Sequence, residues 1–286
     1  MRKVGIYYAY WTNEWEADFF PFIEKVKKLG YDQLEIHGGA ITALSEKELS
    51  CLMDEAKKYN ITLSYGIGLT PDCDVSSLDE ATRKRGIDFM IKIIKTIGFM
   101  GGGTLCGTVH SCWPTKLPKG EDKRKYVDQS LKSMKEMLGY AQDNNVVLNV
   151  EVINRFEQFM LNTCEEALAY VKAVNHPNCK ILLDTFHMNI EEDSFGNAIR
   201  MAGPYLNGLH IGETNRKPAG MGRIPWHEIK QALDDINYQG SLVQEPFLMP
   251  GGQVGQDIGV WREIIPYPDL DKLAAESATF IRQNLC

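Results

Sequence analysis

Basic runs are almost missing from this chain; none exceeds three residues, as at Lys123, Arg124, Lys125. With 31 Lys plus Arg against 38 Asp plus Glu, the formal net charge is −7. A surface that neutralises phosphates needs the opposite balance, so nucleic acid is not an expected partner. Long hydrophobic runs are missing too. None nears the ~20 residues of a bilayer-spanning helix, so no membrane partner is expected. The opening MRKVGIYYAYWTNEWEADFF lacks a small-residue cleavage site and turns acidic at once, which reads as a first strand rather than a signal peptide. There is no C-x-x-C. The seven cysteines are odd in number and scattered, which predicts reduced thiols, a cytoplasmic setting and a filler role for most of them. No G-x-G-x-x-G opens a first strand–helix unit, and Gly101-Gly102-Gly103 precedes a strand, so dinucleotide binding is not expected. No Ser- or Pro-rich linker and no short repeat interrupts the chain, which predicts one domain over 1–286.

What the chain does have is alternation. Apolar strand-like runs at 4–8, 32–37, 61–66, 103–108, 146–152, 179–184, 206–211 and 241–246 alternate with amphipathic stretches at 17–29, 46–59, 79–97, 123–144, 163–174, 194–202, 226–236 and 270–284. Strand–helix alternation implies parallel pairing, and eight such units close into a (β/α)8 TIM barrel. Thr163 before Glu165 and Glu166, and Ser45 before Glu46 and Glu48, mark helix starts. Pro225 suits the first turn of the seventh long helix. Longer loops at 109–121, 212–224 and 247–269 all follow strands, so all should lie over the C-terminal face, where barrel active sites are built.

Four of the apolar runs end in chemistry-bearing residues: VVLNVE at Glu151, KILLD at Asp184, LNGLH at His210 and SLVQE at Glu245. They are 33, 26 and 35 residues apart, one strand-plus-helix unit each time, so they belong to consecutive strands and form half of a ring. Taken singly, each is ordinarily a solvated or structural strand end. Taken together, three carboxylates in one small volume repel, and a divalent cation resolves the repulsion. Three carboxylates and one imidazole favour Mn2+ or Co2+, with Mg2+ also admitted, and positions remain for substrate oxygens or water. Downstream of these strand ends lie further polar residues: Arg155 and Glu157, then His187, then Arg216. Such groups can grip hydroxyls, although Arg155 reads better as a surface ion pair and the acidic run 191–193 as the solvated start of a helix.

The stretches GIYYAYWTNEWEADF, EVINRFEQFMLNTCEEA, LLDTFHMNIEED, HIGETNRKPAGMGRIPW and QEPFLMPGGQVGQDIGVWR resemble the ketose 3-epimerases, the D-tagatose 3-epimerase and D-psicose (D-allulose) 3-epimerase family, within the xylose-isomerase-like barrel superfamily. They span almost the whole chain. The resemblance implies metal ligands at Glu151, Asp184, His210 and Glu245, with Glu151 and Glu245 also the acid/base pair. It places sugar-binding polar residues at Glu157, His187 and Arg216, and apolar contacts to the far end of the sugar near Tyr7, Trp15, Trp113 and Phe247. It also implies a homodimer or homotetramer. The chain departs from the family pattern at His37-Gly38-Gly39 and at Cys106, Thr108 and His110, positions that bear on the pocket for the sugar's far end and not on the metal.

The activity implied is metal-dependent interconversion of free ketoses at C3, of the D-fructose/D-psicose and D-tagatose/D-sorbose type. One glutamate removes the C3 proton, a cis-enediolate forms, and the other glutamate returns a proton to the opposite face. Other readings are an aldose–ketose isomerase or an enzyme acting on an oxidised sugar, on the same scaffold. Metal-dependent phosphodiester hydrolysis is disfavoured by six His and the −7 charge. A non-catalytic sugar-binding protein would not need both glutamates at strand ends.

Overall fold

The computed structural model describes residues 2–286. Eight parallel strands close into a barrel in sequence order: β1 (Val4–Tyr7), β2 (Gln33–His37), β3 (Thr62–Leu69), β4 (Gly103–Cys112), β5 (Val146–Glu151), β6 (Cys179–Asp184), β7 (Leu206–Ile211) and β8 (Ser241–Gln244). Closure is made where Val4, Gly5 and Ile6 of β1 pair with Leu242, Val243 and Gln244 of β8. The strands are covered on the outside by helices and filled on the inside by side chains. They therefore read as nearly continuous apolar runs, and residues such as Val4, Ile6, Leu34, Ile36, Leu148, Val150, Ile181 and Leu183 are fully buried.

The helices are α1 (Phe20–Lys28), α2 (Glu46–Lys58), α3 (Glu80–Phe99), α4 (Lys123–Asp143), α5 (Cys164–Val174), α6 (Thr185–Glu191), α7 (Phe195–Ala202), α8 (Trp226–Asp235), α9 (Gly252–Ile258) and α10 (Leu270–Leu285). The expected caps are present. Ser45 and Glu48 form a reciprocal capping box on α2, and the Thr163 hydroxyl accepts from the Glu166 N–H at the start of α5. Pro225 sits at the N-cap position of α8, one residue before the turn expected for it.

Four expectations are corrected. β4 runs to Cys112, so the long loop after it starts at 113 rather than 109. The 247–269 loop contains α9, and the LDTFHMNIEE stretch forms α6 directly after β6. The acidic run 191–193 does not start a helix. Glu191 ends α6 with its side chain only 5% exposed, and Ser194 caps α7 instead. Among the described residues no helix is long and apolar enough to cross a membrane, and all seven cysteines are free thiols.

Candidate active site and metal centre

The ends of β5 to β8 bring Glu151, Asp184, His210 and Glu245 together, with one ligand atom from each lying within 4.8 Å of the others. The register explains this: Asp184 pairs with His210 across β6 and β7, and Glu245 follows the last residue of β8. Asp184 has a second local duty as N-cap of α6, where its Oδ1 accepts the Phe186 N–H at 2.6 Å. That bond fixes the carboxylate and leaves Oδ2 facing the site, 3.3 Å from Arg216 Nη1.

His210 is 2% exposed, and its Nδ1 stands 3.5 Å from Glu151 Oε1 and 3.6 Å from Glu245 Oε1 without a hydrogen-bond partner. An orphaned buried ring nitrogen is costly unless something binds it. The carboxylates are unsettled too. Burial, with Glu245 nearby, pushes Asp184 up to about 6 despite Arg216. Burial and the Glu151 charge push Glu245 up to about 7, and burial also raises Glu151. Burial opposes a charge on His210, but Glu245 and Glu35 outweigh it and raise its pKa well above the usual range. Hard oxygen donors, an imidazole nitrogen without a hydrogen bond and crowded carboxylates are the donor set of a divalent cation, which would take the place of the protons these groups hold without it, so these residues fit one. Thiolate-rich chemistry does not describe them.

Around this cluster is a cavity of about 400 Å3, open at the C-terminal face. It is walled on one side by Tyr7, Trp15, Trp113 and Phe247, with the Trp15 ring 6.4 Å from Trp113 and 6.5 Å from Phe247. Both indoles are pinned: Trp15 Nε1 donates to Asp257 of α9 at 2.7 Å and Trp113 Nε1 to Glu157 at 3.0 Å. The polar side is set by Asn154. Its amide reaches His187 Nδ1 and Glu157 Oε1, each at 2.8 Å. Burial and the nearby Arg216 charge keep His187 neutral by holding its pKa well below the ordinary value, so with Asn154 on Nδ1 the ring proton resides on Nε2.

Arg216 closes the floor. Its guanidinium lies 3.1 Å from Glu245 Oε2 and 4.0 Å from Glu157, and 3.9 Å above the Phe186 ring. Its backbone is left-handed, at φ 60, a strained state for a bulky residue. Backbone bonds between Glu213 and residues Arg216 and Lys217 close that turn, and the fully buried Glu213 carboxylate ties down the loop that follows, accepting from the N–H groups of Gly220 at 2.9 Å and Ile224 at 3.2 Å and from the Trp226 indole at 3.1 Å.

The expected site residues thus converge, and all but Asp184, which lies just behind, line the cavity. His37 and Thr108 line it as well, whereas His110 is buried away from it beside Tyr170. Arg155 pairs with Glu191 at 2.7 Å, the surface ion pair expected of it. Sequence reasoning missed Asn154, Asp257, Glu213 and Glu35. Glu35 had a visible signal: Gln33, Glu35 and His37 alternate with Leu34 and Ile36, so a barrel strand carries three polar side chains on one face.

The profile of the xylose isomerase-like TIM barrel family matches residues 23–282. The D-psicose 3-epimerase of Agrobacterium fabrum is 44% identical over 271 residues, covering 95% of this chain and 94% of that one. The D-psicose 3-epimerase of Ruminiclostridium cellulolyticum is 45% identical over 286 residues, covering 99% and 98%. A crystal structure of D-psicose 3-epimerase from Clostridium cellulolyticum with D-tagatose superposes with a TM-score of 0.97 at 45% identity over 99% of both chains. The chain therefore belongs to the ketose 3-epimerase family within the xylose isomerase-like TIM barrels, and is an epimerase.

Proposed function

We propose that the protein interconverts free ketoses that differ at C3, of the D-fructose/D-psicose and D-tagatose/D-sorbose type, with Mn2+ or Co2+ held by Glu151, Asp184, His210 and Glu245. One observation carries the reading: Glu151 and Glu245 flank His210 Nδ1 at 3.5 and 3.6 Å, from strands on opposite sides of it, at the base of a cavity sized for one sugar. When bound, the cation supplies charge that stabilises the negative oxygen developing at C2.

The remaining chemistry falls to this chain's residues. A carboxylate of the pair takes the C3 proton, and the C–H electron pair moves into the C2–C3 bond while the C2 carbonyl oxygen gains charge as the enediolate. The second glutamate, in its acid form, returns a proton to C3 from the opposite face. Exchangeable roles suit a reversible reaction between similar epimers. Neutral His187, with its Nε2 proton, and the fork of Arg216 hold O1 and O2, and Glu157 orients Arg216 or takes a hydroxyl. The aromatic wall covers the C4 to C6 end. His37 and Thr108 adjust which ketose fits there; equal relative rates across a ketose panel in His37→Ala and Thr108→Ala would refute that role. The assembly is a homodimer or homotetramer.

The decisive assay incubates free ketohexoses and ketopentoses with Mn2+ or Co2+ in D2O. Deuterium at C3 with inversion is the expected result. Turnover that labels C1 instead would make the protein an aldose–ketose isomerase, and the proposal would fail.

A further inference from the structure

The imidazole of His210 faces two ways. Its Nδ1 meets Glu151 and Glu245; its Nε2 lies 3.0 Å from Oε1 of Glu35, a carboxylate on β2 that is 2% exposed. We infer that Glu35 is a positioning residue: it accepts the Nε2 proton of His210 and so turns the Nδ1 lone pair toward the cation. The inference rests on the proposed reading of the four-residue cation site.

Three observations support it. First, a neutral imidazole carries one proton, and whichever nitrogen donates leaves the other as the ligand atom. Nε2 has an anionic acceptor at hydrogen-bond distance, whereas Nδ1 is buried with no hydrogen bond. Second, Glu35 is itself held. Its Oε2 accepts from Ser64 Oγ at 2.9 Å and from Cys106 Sγ at 3.3 Å. Behind Ser64 the chain of bonds continues through Gln33 at 2.7 Å, whose Oε1 accepts from Ser241 Oγ at 2.6 Å. The ring of His210 is thereby tied to β2, β3 and β8. Third, packing does not immobilise this region. A cavity of about 140 Å3, lined by Glu35, Ser64, Asn149 and His210, lies in the barrel below the site, where such barrels are usually filled. Hydrogen bonds, rather than apolar contact, must fix Glu35 there.

A rival arrangement exists in the same atoms. Glu35, Cys106 and His210 also bring ligand atoms within 4.8 Å of one another, and a cation seated among them would use Nε2. The two arrangements are exclusive, because a donating Nε2 cannot ligate.

The test uses the full chain in three arms. Glu35→Gln keeps the shape and removes the charge. Titration calorimetry with Mn2+ should show affinity weakened about 10- to 100-fold, while the KM for ketose at saturating Mn2+ moves little. Parental affinity in Glu35→Gln overturns the inference. His210→Ala, run beside it, separates the two readings. If His210→Ala binds Mn2+ as the parent does, the four-residue cation site fails and the positioning role falls with it. If His210→Ala loses the ion while Glu35→Gln keeps it, only the positioning role fails. The third arm needs no variant. Histidine-selective 15N NMR of the parent with Mg2+ should show His210 protonated at Nε2, and a proton on Nδ1 overturns the inference. With Co2+, a sulfur-to-cobalt charge-transfer band would place the ion against Cys106 and overturn it as well.

Discussion

Both amide hydrogens of Asn154 are committed to the site, one to His187 Nδ1 and one to Glu157. Replacing Asn154 with Ala leaves the buried His187 imidazole without its orienting donor and Glu157 with the Trp113 indole alone, at a cost of about 1–3 kcal/mol. If that orientation matters only when substrate is gripped, kcat/KM should fall about 5- to 150-fold with cation affinity unchanged. Steady-state kinetics beside calorimetry would detect it, and parental kcat/KM would remove Asn154 from the account. The glutamate pair makes a sharper demand. If each serves one face of the substrate, Glu151→Gln and Glu245→Gln should both lose net epimerisation by about 10²–10⁴-fold or more. Each variant should still exchange the C3 proton of one epimer with D2O, and the two should choose opposite epimers. Cation content must be measured alongside, because both residues also belong to the ligand set. A variant that keeps its cation and epimerises near the parental rate would show that its glutamate is not a required acid or base.

At the scale of elements, the barrel depends on one close approach between β3 and β4. Gly107 has φ +106, and a Cβ there would lie 2.2 Å from the Ile67 carbonyl oxygen, where the register of the pair shifts. Gly107→Ala is therefore expected to destabilise by about 1–3 kcal/mol from backbone strain alone, with the clash adding to it. Gly139→Ala in α4, where nothing lies within 4 Å, should be neutral or slightly stabilising. Urea unfolding of both variants checks the contrast, and equal midpoints would sink it. The same strand shows why reading a sequence stops where it does. The strands were legible because most are buried on both faces and so read as largely apolar runs, with β2 alternating polar and apolar residues instead. The run in β4 breaks at His110 and Ser111, yet the strand continues, since Ser111 Oγ meets Ser76 Oγ at 3.1 Å and the Cys112 N–H donates to Asp74. Those partners come from a distant loop and leave no local signature. Likewise α6 starts on Asp184 with no intervening turn, so no punctuation separates it from β6. The ligand set was legible because spacing by whole strand–helix units puts strand ends side by side. Asn154 was not, because its partner His187 lies on a segment that only the folded chain brings near; Glu213 was not, because its partners, though close in sequence, sit in an irregular loop with no periodic pattern to mark them.

For the whole molecule, the four-residue cluster links stability to cation and pH. Without a cation, Asp184 at about 6 and Glu245 at about 7 lie above the value near 4 of a carboxylate in an unfolded chain. Between those values the folded state holds protons that the unfolded state has released, so these groups subtract stability as pH rises through that window. His210 acts in the same direction. Its folded pKa is raised, so its contribution is full below its unfolded value and is lost as pH climbs through the folded one. A cation reverses the balance, since it takes the place of those protons and binds only the folded state. At a free concentration of about 100 times its Kd, it should add about 2.7 kcal/mol, or roughly 5–10 °C in Tm for a chain of this size. The difference in Tm between Mn2+-loaded and chelated protein should therefore be small at pH 5 and widen steadily to pH 8. Comparing the two forms at each pH cancels the titration of surface groups common to both. Proton release on Mn2+ binding, read by calorimetry in buffers of different ionisation enthalpy, should rise as pH falls from 8 toward 6. A gap in Tm that is independent of pH, with no protons released, would mean that the ion binds elsewhere than among Glu151, Asp184, His210 and Glu245.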